Sequence, residues 1–508
     1  MPMGNDGHAA PALRSAAPAA TPGRHPPGGI SRGISPARVS TPARLLSLRA
    51  GMAVGLRRAE WVFVVLALAA VGEAMNPLVK PFVPARSLDA GSLRQYLMPP
   101  IYLVSVCALL ARPAATLGAA PRSLPTLALA ALALVSYFWS AAPDLTLRRS
   151  AMLVGMTLFG LYLATRFRRR DFLVLLAWAL GFSAVLSLAF VFLLPDRGLA
   201  SGVHEGDWRG LYGHKSTLGL YMSLATIVFV IVARGSTRFR WAGWVGAALC
   251  ALLAVRSGST TALIIITALL ALQVLLHVLR TRSTRLILLA AAALLALASA
   301  ATVLFYESDS VLRALGKGRS VSGRVPLWNF LLHRVREHPW LGYGYSGFWQ
   351  GWQGPSAGVA GATGGWYPWH AHNGLLELAL NLGGVGVALF LLAYARAVRR
   401  AVRTLRVSTA EDALWPATML AFLLLASASE SLIMRYTDLF WLLFIVTAFS
   451  PVEWRRTPGA RAAPRRDWTW PDSAPSAAAP VSPGIGWRMR WRRAPGARRR
   501  ASRRRGDR

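Results

Sequence analysis

The stretch Gly206 to Leu220 (GDWRGLYGHKSTLGL) sets Asp207, Arg209, His214 and Lys215 between two long apolar runs. Ionisable side chains against apolar segments of membrane length are costly to place and mark a functional site by default. Two later polar islands, SGRVPLW (Ser322–Trp328) and WHAHNGLLE (Trp369–Glu377), stand in the same relation to later runs. Arginine presents a planar fork of donors suited to phosphate oxygens and keeps its charge. Arg324, Arg209 and Lys215 therefore suit a diphosphate whose charge grows as a bond to it breaks, or simple anchoring to lipid phosphates. Asp207 and Glu205 would orient or neutralise these cations. His372 falls where an apolar run begins, and the adjacent Asn373 can cap the free N–H groups of a helix. In a first turn the helix dipole disfavours the charged imidazole. A neutral ring can take a proton from a hydroxyl as a general base; the alternative is an interfacial anchor, and His370 competes for either role. His214 and Trp328 are the supporting side chains.

The elements that must position these residues are apolar helices. The chain has 508 residues, 54% hydrophobic and 15% charged, against about 25% charged in soluble domains. Its mean hydropathy is +0.41. Runs near the ~20 residues that span a bilayer recur. They fall near 60–76, 95–111, 124–141, 150–166, 172–194, 216–233, 241–255, 260–279, 286–306, 373–395, 413–430 and 437–450. The expected fold is an all-α integral membrane protein of about twelve transmembrane helices. The runs at 241–255 and 437–450 are short for a full crossing, which leaves ten or eleven spans as the alternative. A large extracytoplasmic loop, 307–371, separates spans nine and ten, and a loop of that length is generally functional. Within it, the apolar spacing of Val325, Leu327, Trp328, Leu331, Leu332 and Val335 predicts a short surface helix. The glycine-rich stretch Gly354–Gly365 is a candidate lid. The loop's aromatic residues, among them Trp349, Trp352, Trp366 and Trp369, suit either an interfacial belt or stacking on sugar rings.

The net charge of +36 invites a nucleic-acid partner, but 24 of the 57 basic residues sit in two tails, 1–58 and 451–508. Both tails have the Pro, Ala, Gly and Arg bias of disordered segments, and basic flanks mark the cytoplasmic side of a membrane domain, here 59–450. The short loops at 166–170, 234–240, 280–285 and 395–406 are Arg-rich and the alternate short loops carry fewer Arg and Lys. The positive-inside rule then puts both termini in the cytoplasm and all three islands outside. Cys107 and Cys250 lie in apolar runs and read as small buried hydrophobes, and no metal site is spelled. The first apolar run begins too deep for a cleavable signal peptide. Glu73, Glu377 and Glu430 fall near predicted span ends, and no internal repeat is visible, which weakens a transporter reading.

The islands, with FWSAAPDLTLRRS (Phe138–Ser150), HPWLGYGYSGF (His338–Phe348) and HNGLLELALNLGGVG (His372–Gly386), give a resemblance. Over roughly residues 60–450 the chain resembles the O-antigen ligase and polymerase superfamily of bacterial envelope glycosyltransferases. WRGLYGHKSTLG is closest to the exopolysaccharide polymerase branch, although Ser216 stands where that branch commonly has Asn. The resemblance implies a multi-pass enzyme of the bacterial cytoplasmic membrane that needs neither metal nor cofactor. Its donor would be a glycan on undecaprenyl diphosphate and its acceptor another lipid-linked repeat unit. Arg209 and Arg324 would bind the diphosphate, with Lys215 a further contact, and His372 would activate the acceptor hydroxyl with inversion. A chain-length regulator and a flippase are the implied partners, and nucleic acid is not. The alternatives are a ligase passing finished glycan to lipid A core or protein, and, less favoured, a polysaccharide or lipid transporter.

Overall fold

The computed structural model describes residues 41–75, 90–280, 282–307 and 324–452. The chain divides into units Met1–Gly55 and Leu56–Arg508. The expected tails lie outside the described residues except for 41–58, which belong to the first helix, and 451–452. Ser322 and Gly323 of the second island also lie outside them.

Each of the twelve apolar runs coincides with a helix. In order these are α1 (Thr41–Val71), α2 (Ala90–Leu110), α3 (Leu124–Val135), α4 (Pro143–Arg166), α5 (Arg169–Leu193) and α6 (Lys215–Gly235). There follow α7 (Arg240–Arg256), α8 (Thr260–Leu279) and α9 (Thr284–Glu307). After α10 (Arg324–Glu337) come α11 (Gly374–Val407), α12 (Trp415–Ser427) and α13 (Leu439–Phe449). Among the described residues there is no strand, only the isolated bridges Leu199–Trp208 and Gln350–Gln353. Among the described residues six helical segments are long and apolar enough to cross a bilayer: Pro113–Trp139, α5, α6, α8, α9 over Thr284–Ala301, and α11. Tyr96–Leu110 and α13 are shorter apolar helices. The molecule is an all-α membrane protein.

Helix α6 is central, with 83% of its apolar window buried against 11% for α9, which presents most of its surface outward. It packs on α5, α7 and α8, while α4 packs on α2 and α13, and α11 on α3 and α12. The Arg-rich loops meet at one end. Arg169 forms a buried pair with Asp412 at 3.0 Å, Arg234 pairs with Glu411 at 3.2 Å, and Arg280 donates to the Thr409 carbonyl at 3.1 Å.

The run at 373–395 is not one continuous helix, as its apolar character suggested. Gly383 breaks α11 with φ 60° and ψ −161°, a conformation essentially restricted to glycine. A Cβ there would also collide with the Trp340 carbonyl. The backbone groups around the break are met by the HPWLGY segment. Tyr343 N–H donates to Leu380 O at 2.8 Å, Gly384 N–H to Pro339 O at 2.7 Å, and Val385 N–H to Trp340 O at 3.1 Å. Irregular backbone at membrane depth is tolerable only when its polar groups are satisfied in this way. The same segment docks on FWSAAPDLT: Ala141 N–H donates to Tyr343 O at 3.0 Å, and the Thr146 hydroxyl to Tyr345 O at 2.8 Å. Helix α10 matches the predicted surface helix. Its Leu327 and Leu331 are buried with Tyr343, Phe348, Val359, Ala371 and Leu380 in a second, smaller hydrophobic core. The expected lid is folded into this layer, with a 3-10 turn at Gly354–Ser356, a short helix at Val359–Ala362, and buried Ser356 and Val359.

Candidate active site

His372 stands one residue before the cap of α11. The Asn373 side chain accepts from Leu375 N–H and Leu376 N–H at 3.1 and 3.0 Å, as its position suggested. The helix begins at Gly374, so His372 is not in its first turn; it adopts a left-handed φ of 51°. That conformation costs about 1–2 kcal/mol for a residue with a Cβ, and persists only where the surroundings determine it. Here they do so through Ala371. The Trp328 indole donates to the Ala371 carbonyl at 2.9 Å, and the Glu377 carboxylate accepts its N–H at 2.8 Å.

The imidazoles of His370 and His372 lie 4.0 Å apart. His370 Nε2 and His372 Nδ1 each face Glu430 Oε2 at 3.6 Å, while Glu430 Oε1 faces Arg324 at 3.9 Å. Glu430 sits in the turn after α12, and Arg324 is the first residue of α10. Three segments distant in sequence thus meet around one carboxylate. His372 Nδ1 is buried with no partner within hydrogen-bonding distance, so Glu430 is placed to receive its proton on a small adjustment.

The tautomers follow from the contacts. The backbone N–H of His372 donates to His370 Nδ1 at 3.2 Å. The His370 proton therefore sits on Nε2 and points at Glu430. With His372 Nδ1–H also directed at Glu430, the lone pair on His372 Nε2 is the one left to accept a proton, as in a carboxylate-oriented histidine base. Burial would raise the Glu430 carboxyl. Its contact with His372, then the charges of the two histidines and Arg324, outweigh burial and hold the group at about 2. Burial, reinforced by His372, lowers His370 against the pull of Glu430. The atoms of His370, His372 and Glu430 lie within 4.8 Å of one another, a spacing that could hold a metal ion. The fit is poor: His370 would have to surrender the proton that its backbone contact places on Nε2, and Arg324 shares the carboxylate. Nothing in the linear spacing announced this cluster, because Glu430 read only as the end of a span.

The first island is placed nearby but is engaged in its own contacts. His214 caps α6, accepting from Ser216 N–H at 3.2 Å. Desolvation lowers its pKa and Glu430 pulls it back up, so it shares the electrostatic environment of the cluster. Lys215 is buried and pairs with Asp207 at 2.6 Å. Arg209 donates to the carbonyls of Arg197 and Asp196, both at 3.0 Å, so two of its N–H groups hold a loop. Glu205 is exposed. Of the three expected phosphate ligands, Arg324 is the one that the contacts bring to the histidines. A further cation, Arg435, was not singled out by the sequence. It lies in the turn that carries Glu430 and acts electrostatically on His370. Trp366 tilts over His372 with ring centroids 5.4 Å apart, and exposed Trp352 and Trp369 flank Tyr367.

Residues 245–391 match the family described as O-antigen ligase, a stretch that includes Arg324, Trp328, His370, His372 and Asn373. The chain is also similar to the exopolysaccharide production protein ExoQ of Rhizobium meliloti. The two are 27% identical over 272 residues, which cover 51% of this chain and 60% of the length of that protein. The resemblance to the O-antigen ligase and polymerase superfamily, near its exopolysaccharide branch, is borne out by both.

Proposed function

We propose that this protein is an inverting, metal-independent glycosyltransferase that polymerises undecaprenyl-diphosphate-linked repeat units at the outer face of the bacterial cytoplasmic membrane. The observation that carries the reading is the meeting of His372, Glu430 and Arg324. The acceptor hydroxyl oxygen attacks the anomeric carbon of the donor, and His372 Nε2 takes the hydroxyl proton. The bond from that carbon to the diphosphate breaks, and its electron pair leaves with the lipid diphosphate, held by Arg324. Charge that develops on the leaving group is met by a preplaced cation, which is where electrostatic catalysis is strongest. Arg209 and Lys215 hold loop carbonyls and Asp207. In this reading the chain passes through the bilayer an even number of times, with the Arg-rich end and both termini cytoplasmic and the segment after α9 outside.

The ExoQ similarity favours the polymerase, and the O-antigen ligase match favours a second reading, transfer of finished glycan to lipid A core or protein. The test uses purified protein, lipid-linked repeat units and excess chelator. A polymerase builds a ladder of products from repeat units alone; a ligase does not without its separate acceptor. His372→Ala should bind donor normally and turn over ~10²–10⁴-fold more slowly. Arg324→Ala should weaken donor binding, and Arg324→Lys should recover only part, since a point charge replaces a fork. A well-expressed His372→Ala at the wild-type rate would remove the mechanism, and activity restored by a divalent metal after chelation would remove its metal independence.

A further inference from the structure

We propose that Glu377 is a positioning residue that sets the aim of His372 by clamping the backbone just before it. This rests on the reading of His372 as the base. Glu377 stands one turn into α11, and three N–H donors converge on its carboxylate. Ala371 N–H donates to Oε2 at 2.8 Å. The Trp349 indole donates to Oε1 and Oε2 at 3.0 and 3.2 Å, and the Asn381 side chain to Oε1 at 3.3 Å. Asn381 in turn accepts from Ser346 N–H at 2.8 Å. One carboxylate thus ties together the residue before His372, the outer aromatic layer and the segment that fills the break in α11. Ala371 is fully buried and its carbonyl is held by Trp328, so both of its backbone polar groups are fixed. The left-handed His372 that follows has little freedom to turn its ring. Glu377 makes no hydrogen bond to Glu430 or to the His372 ring; it holds His372 through the backbone, and its charge also reaches the ring at longer range.

Charge and donor pattern give the test. In Glu377→Gln one oxygen becomes an NH₂ group, which must face an N–H donor. In Asn381→Asp two carboxylates face each other. In the double variant the new side-chain amide at position 377 can donate to the new carboxylate at position 381 while its carbonyl keeps the Ala371 N–H. Misplacement of a catalytic group by about 1 Å costs ~10²-fold. Glu377→Gln should therefore slow turnover ~10- to 10²-fold with donor binding within twofold, and the double variant should regain most of the loss. Hydrogen exchange of the peptide spanning 367–376 should quicken in Glu377→Gln and slow again in the double variant. Trp349→Phe should act in the same direction with smaller size, and serves if Glu377→Gln fails to reach the membrane. Unchanged exchange, or turnover within threefold of wild type while His372→Ala is inactive, overturns the proposal. So does a double variant slower than either single one. If instead His372→Ala is fully active, the base assignment has failed, and the exchange measurement alone decides the clamp.

Discussion

Glu430→Gln isolates the role of the shared carboxylate, because it removes the charge and keeps the volume. When His372 takes a proton, an imidazolium forms 3.6 Å from Glu430 Oε2. Coulomb attraction at that distance is about 1 kcal/mol in water and about 5 kcal/mol at an effective dielectric of ~20. Glu430 is 20% exposed, so the operative value falls between these limits. At about 1.4 kcal/mol per decade, turnover should drop ~10- to 10³-fold. A second effect adds to this. A glutamine NH₂ facing His372 Nδ1 would move the ring proton to Nε2 and block the base. Donor binding should hold or tighten, because Arg324 loses the carboxylate 3.9 Å away that offsets its charge. The assay is single-turnover transfer at saturating donor, paired with equilibrium binding of radiolabelled donor lipid. Turnover within threefold of wild type refutes the orienting role. Weakened donor binding with unchanged turnover would instead assign Glu430 to the support of Arg324.

Two predictions concern the frame that holds the site, both read as thermal unfolding of the purified protein in one detergent. Gly383→Ala should lower the midpoint, since the backbone conformation alone costs about 1–3 kcal/mol in a residue with a Cβ, whereas Gly361→Ala, with open space around its Cβ position, should stay within ~0.5 kcal/mol; equal midpoints for the pair would refute the close-approach account of the break. Asp412→Asn should cost about 3–5 kcal/mol by leaving Arg169 buried beside a neutral partner, and Arg169→Met with Asp412→Leu should recover most of it; a double variant no better than the single one would show that the pair is not the source of the loss.

The legible parts of this molecule are those set by local pattern. Apolar runs of bilayer length give helices wherever they occur, because a helix satisfies its own backbone in a nonpolar setting. The spacing of Leu327, Leu331 and Val335 marked α10, and Asn373 ahead of an apolar run marked a helix start, since both signals lie within a few residues of what they determine. The break in α11 was half legible. LNLGGVG contains the glycines that a broken helix needs, but the HPWLGY segment that fills the gap comes from about 40 residues earlier, and its fit depends on backbone meeting backbone. Arg209 and Lys215 show the converse. Their charge beside the membrane was evident, yet the carbonyls and the carboxylate that absorb it depend on how the loop between α5 and α6 folds.

Glu430 was invisible for a related reason. It lies 58 residues beyond His372, in a turn whose sequence carries no glycine and whose one helix cap, Asp438, stands eight residues further on, so nothing adjacent distinguishes it from the end of a span. The strain at the site carries the same information in another form. Among the described residues five non-glycines have positive φ, and four of them, Ser346, His372, Met434 and Thr437, lie in the segments around the histidine cluster. Each disfavoured conformation is one that local propensity argues against. They are held by long-range contacts: Ser346 N–H by Asn381, His372 through Ala371, and Met434 through its carbonyl, which accepts from the Tyr345 hydroxyl. Local and global preferences conflict most often where function sets the geometry. In this chain the conflict and the candidate base occupy the same few residues, and the contacts that impose the strain are the ones that aim His372.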